Sequence, residues 1–290
     1  MKQVFIVAAP RSGTTFLGEL LNHHPDITNW HEPYFVWQFH IKNKPDDCLD
    51  NLDVTEKVRN FILNEFNIFS LRMKKPITLE KTPVNAFKID FINEIFPDAH
   101  WIHLYRDGRA IISSLKQKYL HRNEISKNQN ILKFFQDVTY TLKKQPLWRH
   151  RLLAILYELK TRNHLSPYLA KNLITFGPKY KNWEIDRMNF SDIEFMAKQW
   201  VESENNIQRS LNKIKSEQTF SLRYEDLIHQ PEQAVENICQ HLNIPFTPLI
   251  KHLSEIKRDS CDKWKGTLSK NELNLIQPII NDMQGKLGYT

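Results

Sequence analysis

A short apolar run, Val4-Phe5-Ile6-Val7-Ala8, passes directly into the small-residue turn Ala9-Pro10-Arg11-Ser12-Gly13. Phe16, Leu17, Leu20 and Leu21 then follow at helical spacing. A β-branched apolar run of this length reads as a buried strand, and the i, i+3, i+4 pattern reads as a helix with one apolar face. A strand, a tight turn and a helix in that order leave few folds open. They aim several unpaired backbone N–H groups and a helix N-terminus at one point, which is the geometry that binds a phosphate or sulfate. Arg11, Ser12, Thr14 and Thr15 add charge and hydroxyls to the same place.

Aligned on the G-x-x-x-x-G-K-[ST] loop of nucleoside triphosphatases, Ala8 replaces the first Gly and Gly13 is kept. Thr14 stands where the phosphate-reaching Lys would be. Arg11, a planar two-pronged donor, supplies positive charge from inside the loop instead.

The strand–helix alternation continues. Pro25 to Trp30 reads as a second extended segment before His31-Glu32-Pro33, and Val54 to Phe66 as a helix. Pro76 to Pro83 reads as a short strand ending in a polar turn, Val84 to Phe96 as a helix, and Ala99 to Tyr105 as a strand leading into Arg106-Asp107-Gly108-Arg109. A long helix is expected from Ile193 to Ile214, a further strand over Thr219–Tyr224, and three helices after it, the first opened by Pro231. This order predicts an α/β fold with a parallel central sheet flanked by helices. No repeat, low-complexity tract or linker divides the chain, so residues 1–290 are read as one domain with a helical insertion at about 126–165.

Composition narrows the class. At 290 residues, 41% apolar and 25% charged, the chain can bury a large core. The net charge of +7 suits an anionic ligand. The Lys and Arg residues are not clustered in runs or interleaved with aromatics, which argues against a nucleic-acid-binding module. Cys48, Cys239 and Cys261 are scattered, far from metal-ligand spacing, and read as reduced thiols. No stretch approaches a membrane span, and the first strand begins so near Met1 that a cytoplasmic protein without a signal peptide is expected.

Three motifs taken together resemble the sulfotransferases that use 3′-phosphoadenosine 5′-phosphosulfate (PAPS). They are Pro10-Arg11-Ser12-Gly13-Thr14-Thr15, Arg106-Asp107-Gly108-Arg109 with Ser114, and Arg223-Tyr224-Glu225-Asp226-Leu227. With the tail Lys286-Leu287-Gly288-Tyr289, the set is most similar to the tyrosylprotein and bacterial branch. The resemblance implies a P-loop-type transferase moving a sulfuryl group from PAPS to an acceptor hydroxyl, with adenosine 3′,5′-bisphosphate as product and no metal required. It places the 5′-phosphosulfate on Arg11, Ser12, Gly13, Thr14 and Thr15, the 3′-phosphate on Arg106 and Ser114, and Tyr224 near the adenine. Lys263-Trp264-Lys265-Gly266 echoes only part of a phosphate-gripping loop, and Lys265 is assigned to the cofactor on that basis. Arg11, Lys81 and Glu32 become the catalytic set. Pro83 occupies the place of the His base of cytosolic phenol and steroid enzymes, and the resemblance gives the base role to Glu32. His31 is the other candidate there, since neighbours on an extended segment face opposite ways. Acceptor selection is expected from Phe35–Phe39 and from the insertion. The competing readings are a P-loop kinase-like phosphotransferase and a catalytically inactive nucleotide-binding module.

Overall fold

A computed structural model describes residues 1–41, 44–125, 139, 145–163, 177–256 and 261–289. Its strands are β1 (Lys2–Val7), β2 (Ile27–His31), β3 (Ile77–Lys81), β4 (His100–Tyr105) and β5 (Thr219–Arg223). They form one sheet in the order β2-β3-β1-β4-β5, and every pairing in it is parallel. The helices α1 (Thr14–Asn22), α2 (Tyr34–Trp37), α3 (Glu56–Met73), α4 (Ile89–Ile95) and α5 (Gly108–Ile125) alternate with the first four strands. Helices Trp148–Asn163, Trp183–Asn189 and Asp192–Leu211 precede β5, and Tyr224–His229, Pro231–Leu242, Trp264–Thr267 and Lys270–Lys286 follow it.

β1 shows why this sheet needs helices on both faces. Phe5 and Val7 belong to one buried cluster, and Val4 and Ile6 to the other. Alternate side chains of a strand point to opposite faces, so a strand apolar at every position must be covered twice. Phe5 sits inside an aromatic nest, with ring centroids 5.0 Å from Trp101, 5.6 Å from Phe96 and 6.0 Å from Trp37 and Phe66. On the same face the long helix Asp192–Leu211 begins with a capping box of Ser191 and Glu194. Its buried Glu204 carboxylate lies 2.9 Å from His103 of β4. Gly108 lets α5 begin beside this helix, because a Cβ there would come within 2.8 Å of the Trp200 ring.

Several boundaries differ from the sequence reading. α3 runs to Met73 because Phe69 and Ser70 are also buried, and the Ser70 hydroxyl lies 2.6 Å from that of Thr78 on β3. The segment expected to be helical from Val84 to Phe96 is a 3₁₀ turn over Pro83–Phe87 followed by α4. Asn85 Nδ2 donates to Glu80 Oε2 at 2.6 Å, which ties that turn to the sheet. Phe35 and Trp37 are core residues, 7% and 0% exposed, so the Phe35–Phe39 segment does not present them to an acceptor. The first part of the expected helical insertion, with Ile131, Phe134, Phe135 and Val138, falls outside the described residues. No helix among the described residues is long and apolar enough to cross a membrane.

Phe5→Ala removes the ring at the centre of the aromatic nest. It is expected to cost about 3–5 kcal/mol of folding stability, read as a lowered urea midpoint.

Candidate functional site

The loop after β1 is shaped by two left-handed residues, Arg11 at φ 71° and Gly13 at φ 93°. For Arg11 this conformation is costly and must be held by its surroundings. Its carbonyl oxygen accepts from Arg106 Nη1 at 3.2 Å, and its own Nε donates to Ser114 Oγ at 3.1 Å. Ser12 is fully buried and its hydroxyl donates to Ala9 O at 2.8 Å, so its side chain fastens the loop from beneath. Gly13 stands at the N-cap of α1, where no side chain caps the helix and no acidic residue lies in the first turn. The N–H groups and positive dipole end of that turn are open to an anion. The Tyr224 ring packs so closely that a Cβ on Gly13 would lie 2.4 Å from its Cε2.

The other strands supply the remaining walls. Arg106, one residue past β4, is 8% exposed and has its guanidinium carbon 4.2 Å from the centre of the Tyr224 ring. A cation over an aromatic face is held by the ring quadrupole. The turn is braced behind the cleft by Asp107. Its carboxylate accepts from Arg109 Nε at 3.1 Å and Nη2 at 2.8 Å, and from Gln284 Nε2 at 2.9 Å. On the opposite flank, Lys81 ends β3 with a side chain 2% exposed. Its Nζ donates to Glu32 Oε1 at 2.5 Å and to Thr15 Oγ1 at 3.0 Å. Glu32 follows β2 at φ 49° and keeps a quarter of its side chain exposed, while His31 Nε2 lies 3.7 Å from the same Oε1.

Two groups behind this pair are perturbed by burial. The Glu80 carboxyl is pushed up to about 7 by burial, against hydrogen bonds from Thr82, Trp37 and Asn85. Burial and then the charge of Glu32 raise the Tyr34 phenol well above its ordinary value, which leaves it a neutral hydroxyl.

Arg11, Gly13, Glu32, Tyr34, Lys81, Arg106, Ser114 and Tyr224 surround one cleft of about 610 Å³ at the carboxyl edge of the sheet. The chain crosses from β1 to β2 on one side and later to β4 on the other, and ligands of open α/β sheets bind where the order reverses in this way. Residues 3–164 and 161–248 match the model described as "Sulfotransferase family". The chain belongs to the sulfotransferase family. Among curated relatives, "Nodulation protein NoeE" of Sinorhizobium fredii is 28% identical over 130 residues, covering 40% of this chain and 31% of that protein. Human "Protein-tyrosine sulfotransferase 1" is 29% identical over 128 residues, covering 40% and 34%. The matched region therefore spans about a third of these relatives. Among solved structures, the "Sulfotransferase Domain from the Curacin Biosynthetic Pathway" covers 100% of this chain and 98% of its own, at TM-score 0.57 and 15% identity. The sulfotransferase from Alicyclobacillus acidocaldarius covers 100% and 97%, at TM-score 0.51 and 15% identity. These likenesses are to the fold, which is that of sulfotransferase domains.

Arg11, Gly13, Thr14, Thr15, Glu32, Lys81, Arg106, Ser114 and Tyr224, singled out in the sequence as sulfotransferase site residues, all line this cleft. Lys265 does not. Its side chain is 62% exposed and its Nζ pairs with Asp262 at 2.9 Å, so the ammonium is engaged locally outside the cleft. The sequence reading assigned no site role to Thr82, Lys118 or the pair Gly177-Pro178, all cleft-lining, as is Tyr34, an aromatic it weighed as either pocket or core. Lys118 carried a readable signal, since it lies four residues after Ser114 on the same face of α5. Gly177-Pro178 offers no such signal, being a helix-breaking pair without a chemical motif.

Gly13→Ala is expected to lower the thermal midpoint through both the ring contact and the left-handed backbone. Adding Tyr224→Ala should restore the part due to the ring and leave the backbone part, about 1 kcal/mol. Calorimetric unfolding of the single and double variants checks the split.

Proposed function

We propose that this chain transfers a sulfuryl group from PAPS to the hydroxyl of an acceptor, by in-line displacement and without a metal. The observation that carries the reading is the meeting of Arg11, Lys81, Arg106 and Lys118 with Glu32, the one carboxylate among the described lining residues, around a helix N-terminus that has no side-chain cap. A strongly cationic cleft with one carboxylate suits a multiply anionic nucleotide and a neutral hydroxyl. The missing loop Lys at Thr14 and the Arg at the end of the β4 turn disfavour the kinase-like reading, which needs a cation for a γ-phosphate and a carboxylate for its metal. Among the described residues Cys48, Cys239 and Cys261 form no disulfide, in keeping with a reading as a reduced cytoplasmic domain.

In this reading the open N–H groups of Gly13, Thr14 and Thr15, with the Ser12 backbone and Arg11, hold the 5′-phosphosulfate. Arg106 and Ser114 hold the 3′-phosphate, and Tyr224 walls the adenine. PAPS, when bound, supplies the sulfuryl group. Lys81 stands between Thr15 and Glu32, where its ammonium steadies anionic charge that develops near the loop. Glu32 takes the proton of the acceptor hydroxyl, which is a poor nucleophile until that proton leaves. The acceptor reaches it past Tyr34, Pro83, Val84 and Pro178.

The deciding experiment is transfer of label from sulfur-labelled PAPS, in EDTA, to a panel of a sugar, a phenol, a lipid alcohol and an acidic tyrosine peptide. Label on any acceptor upholds the reading. Binding of the nucleotide with no transfer to the panel would favour the inactive module, and activity only with Mg²⁺ would favour the kinase-like protein.

Adenosine 3′,5′-bisphosphate is expected to bind more tightly than AMP by about 1.5–3 kcal/mol, the worth of a hydrogen bond to a charged group. Equal affinities in titration calorimetry would remove the 3′-phosphate from Arg106 and Ser114. Glu32→Gln keeps the shape and removes the basicity, so kcat should fall by roughly 10²–10⁴ with nucleotide affinity nearly unchanged. An active Glu32→Gln beside a dead His31→Ala would move the role to His31.

A further inference from the structure

The carboxylate read as the base stands on a backbone that a glutamate does not adopt unaided. Glu32 is left-handed at φ 49°, and that angle decides where its side chain goes. From the sheet side, Glu32 N–H donates to Lys81 O at 3.3 Å and Tyr34 N–H donates to Glu32 O at 2.9 Å. The other side is less obvious. β2 is the outermost strand of the sheet, so its far edge has no strand partner among the described residues.

Gln145 occupies that edge. It is 1% exposed, and both ends of its amide are used. Oε1 accepts from the Trp30 indole Nε1 at 2.9 Å, and Nε2 donates to the His31 carbonyl oxygen at 3.2 Å. The reversed amide would set N–H against N–H and C=O against C=O, so the two partners fix its orientation. Its own carbonyl accepts from Arg151 Nε at 2.8 Å, which anchors the residue to the helix Trp148–Asn163. Trp30 is stacked on Phe69 at 4.3 Å and on His150 at 4.8 Å, and so offers a rigid reference point.

The His31 carbonyl belongs to the peptide plane that also carries the Glu32 N–H. Rotation of that plane relative to the Glu32 Cα is the φ angle of Glu32. We infer that Gln145 is a positioning residue for Glu32: by holding the His31–Glu32 peptide from the open edge of β2, it keeps the carboxylate at Lys81. This rests on the reading of Glu32 as the base. Gln145 itself lies behind the strand and is not among the residues lining the cleft.

The test uses Gln145→Met, which removes both hydrogen bonds, and Gln145→Glu, which when ionised keeps the acceptor for Trp30 and loses the donor to His31. Either variant will lose some stability, so the deciding readouts lie elsewhere. Crystal structures with adenosine 3′,5′-bisphosphate should show Glu32 leaving the left-handed region and its carboxylate withdrawing from Lys81. An unmoved Glu32 in whichever variant folds overturns the inference, whatever the acceptor. With PAPS and the acidic tyrosine peptide, kcat should fall roughly 10- to 100-fold, as for a reacting group displaced by about an ångström, while affinity for adenosine 3′,5′-bisphosphate stays unchanged. In a Glu32→Gln background the same Gln145 substitution should cost nothing further, because the group it positions is gone. An equal loss in both backgrounds overturns the positioning role and leaves the base reading standing. Full activity of Glu32→Gln alone removes the base reading, and the inference with it.

Discussion

Everything at the cleft depends on one constraint, that the strands of the sheet all run the same way. Parallel hydrogen bonding puts the carboxyl ends at one edge, with His31 beside Lys81 and Tyr105 beside Arg223 in register. The chain places a cleft residue just beyond each end: the loop after β1, Glu32 after β2, Lys81 at the end of β3, Arg106 after β4 and Tyr224 after β5. Their spacing is therefore set by the strand pitch, which neither a loop nor a long side chain can change. Among the described residues lining the cleft, Glu32 is the carboxylate that meets Arg11, Lys81, Arg106 and Lys118, so the field there favours an anion.

The loops at that edge carry backbone strain of their own. Arg11, Gly13 and Glu32 all have positive φ, and each is over-determined by a partner from another strand end. Arg106 holds the Arg11 carbonyl, the Tyr224 ring lies against Gly13, and the Lys81 backbone and Gln145 hold the two sides of Glu32. Left-handed non-glycine residues cost about 1–3 kcal/mol each, and they concentrate where a side chain must be aimed. Behind them, Asp107, Arg109 and Gln284 tie the β4 turn to the C-terminal helix.

What could be read from the sequence was what is local. The β1 loop, the Arg106–Ser114 spacing and the Tyr224 strand end each lie within one short segment, and the structure brings all three to one cleft. Arrangements made across the chain were less legible. Phe35–Phe39 was expected to take part in acceptor selection, but the aromatic nest around Phe5 claims Trp37 for the core. Lys265 matched a motif fragment, but its nearest opposite charge, Asp262, is only three residues away and engages it first. Gln145 had no signal at all, because its partners Trp30 and His31 lie more than a hundred positions earlier. Helix ends were misjudged for a related reason: the burial of Phe69 and the pinning of Asn85 to Glu80 are decided by the sheet.

The strand order also bears on how the chain reaches this state. β1 precedes the other strands of this sheet in the chain and lies in its middle, between β3 and β4. Its partners begin at Ile77 on one side and His100 on the other, so an emerging chain carries an apolar strand with both edges open over all the residues between. Neither edge can close through a local hairpin, since parallel strands need crossovers. Closure waits on contacts distant in sequence, the condition under which folding is slow and open edges invite association. The strand that organises this sheet is thus, of its five, the one longest exposed while the chain is being made.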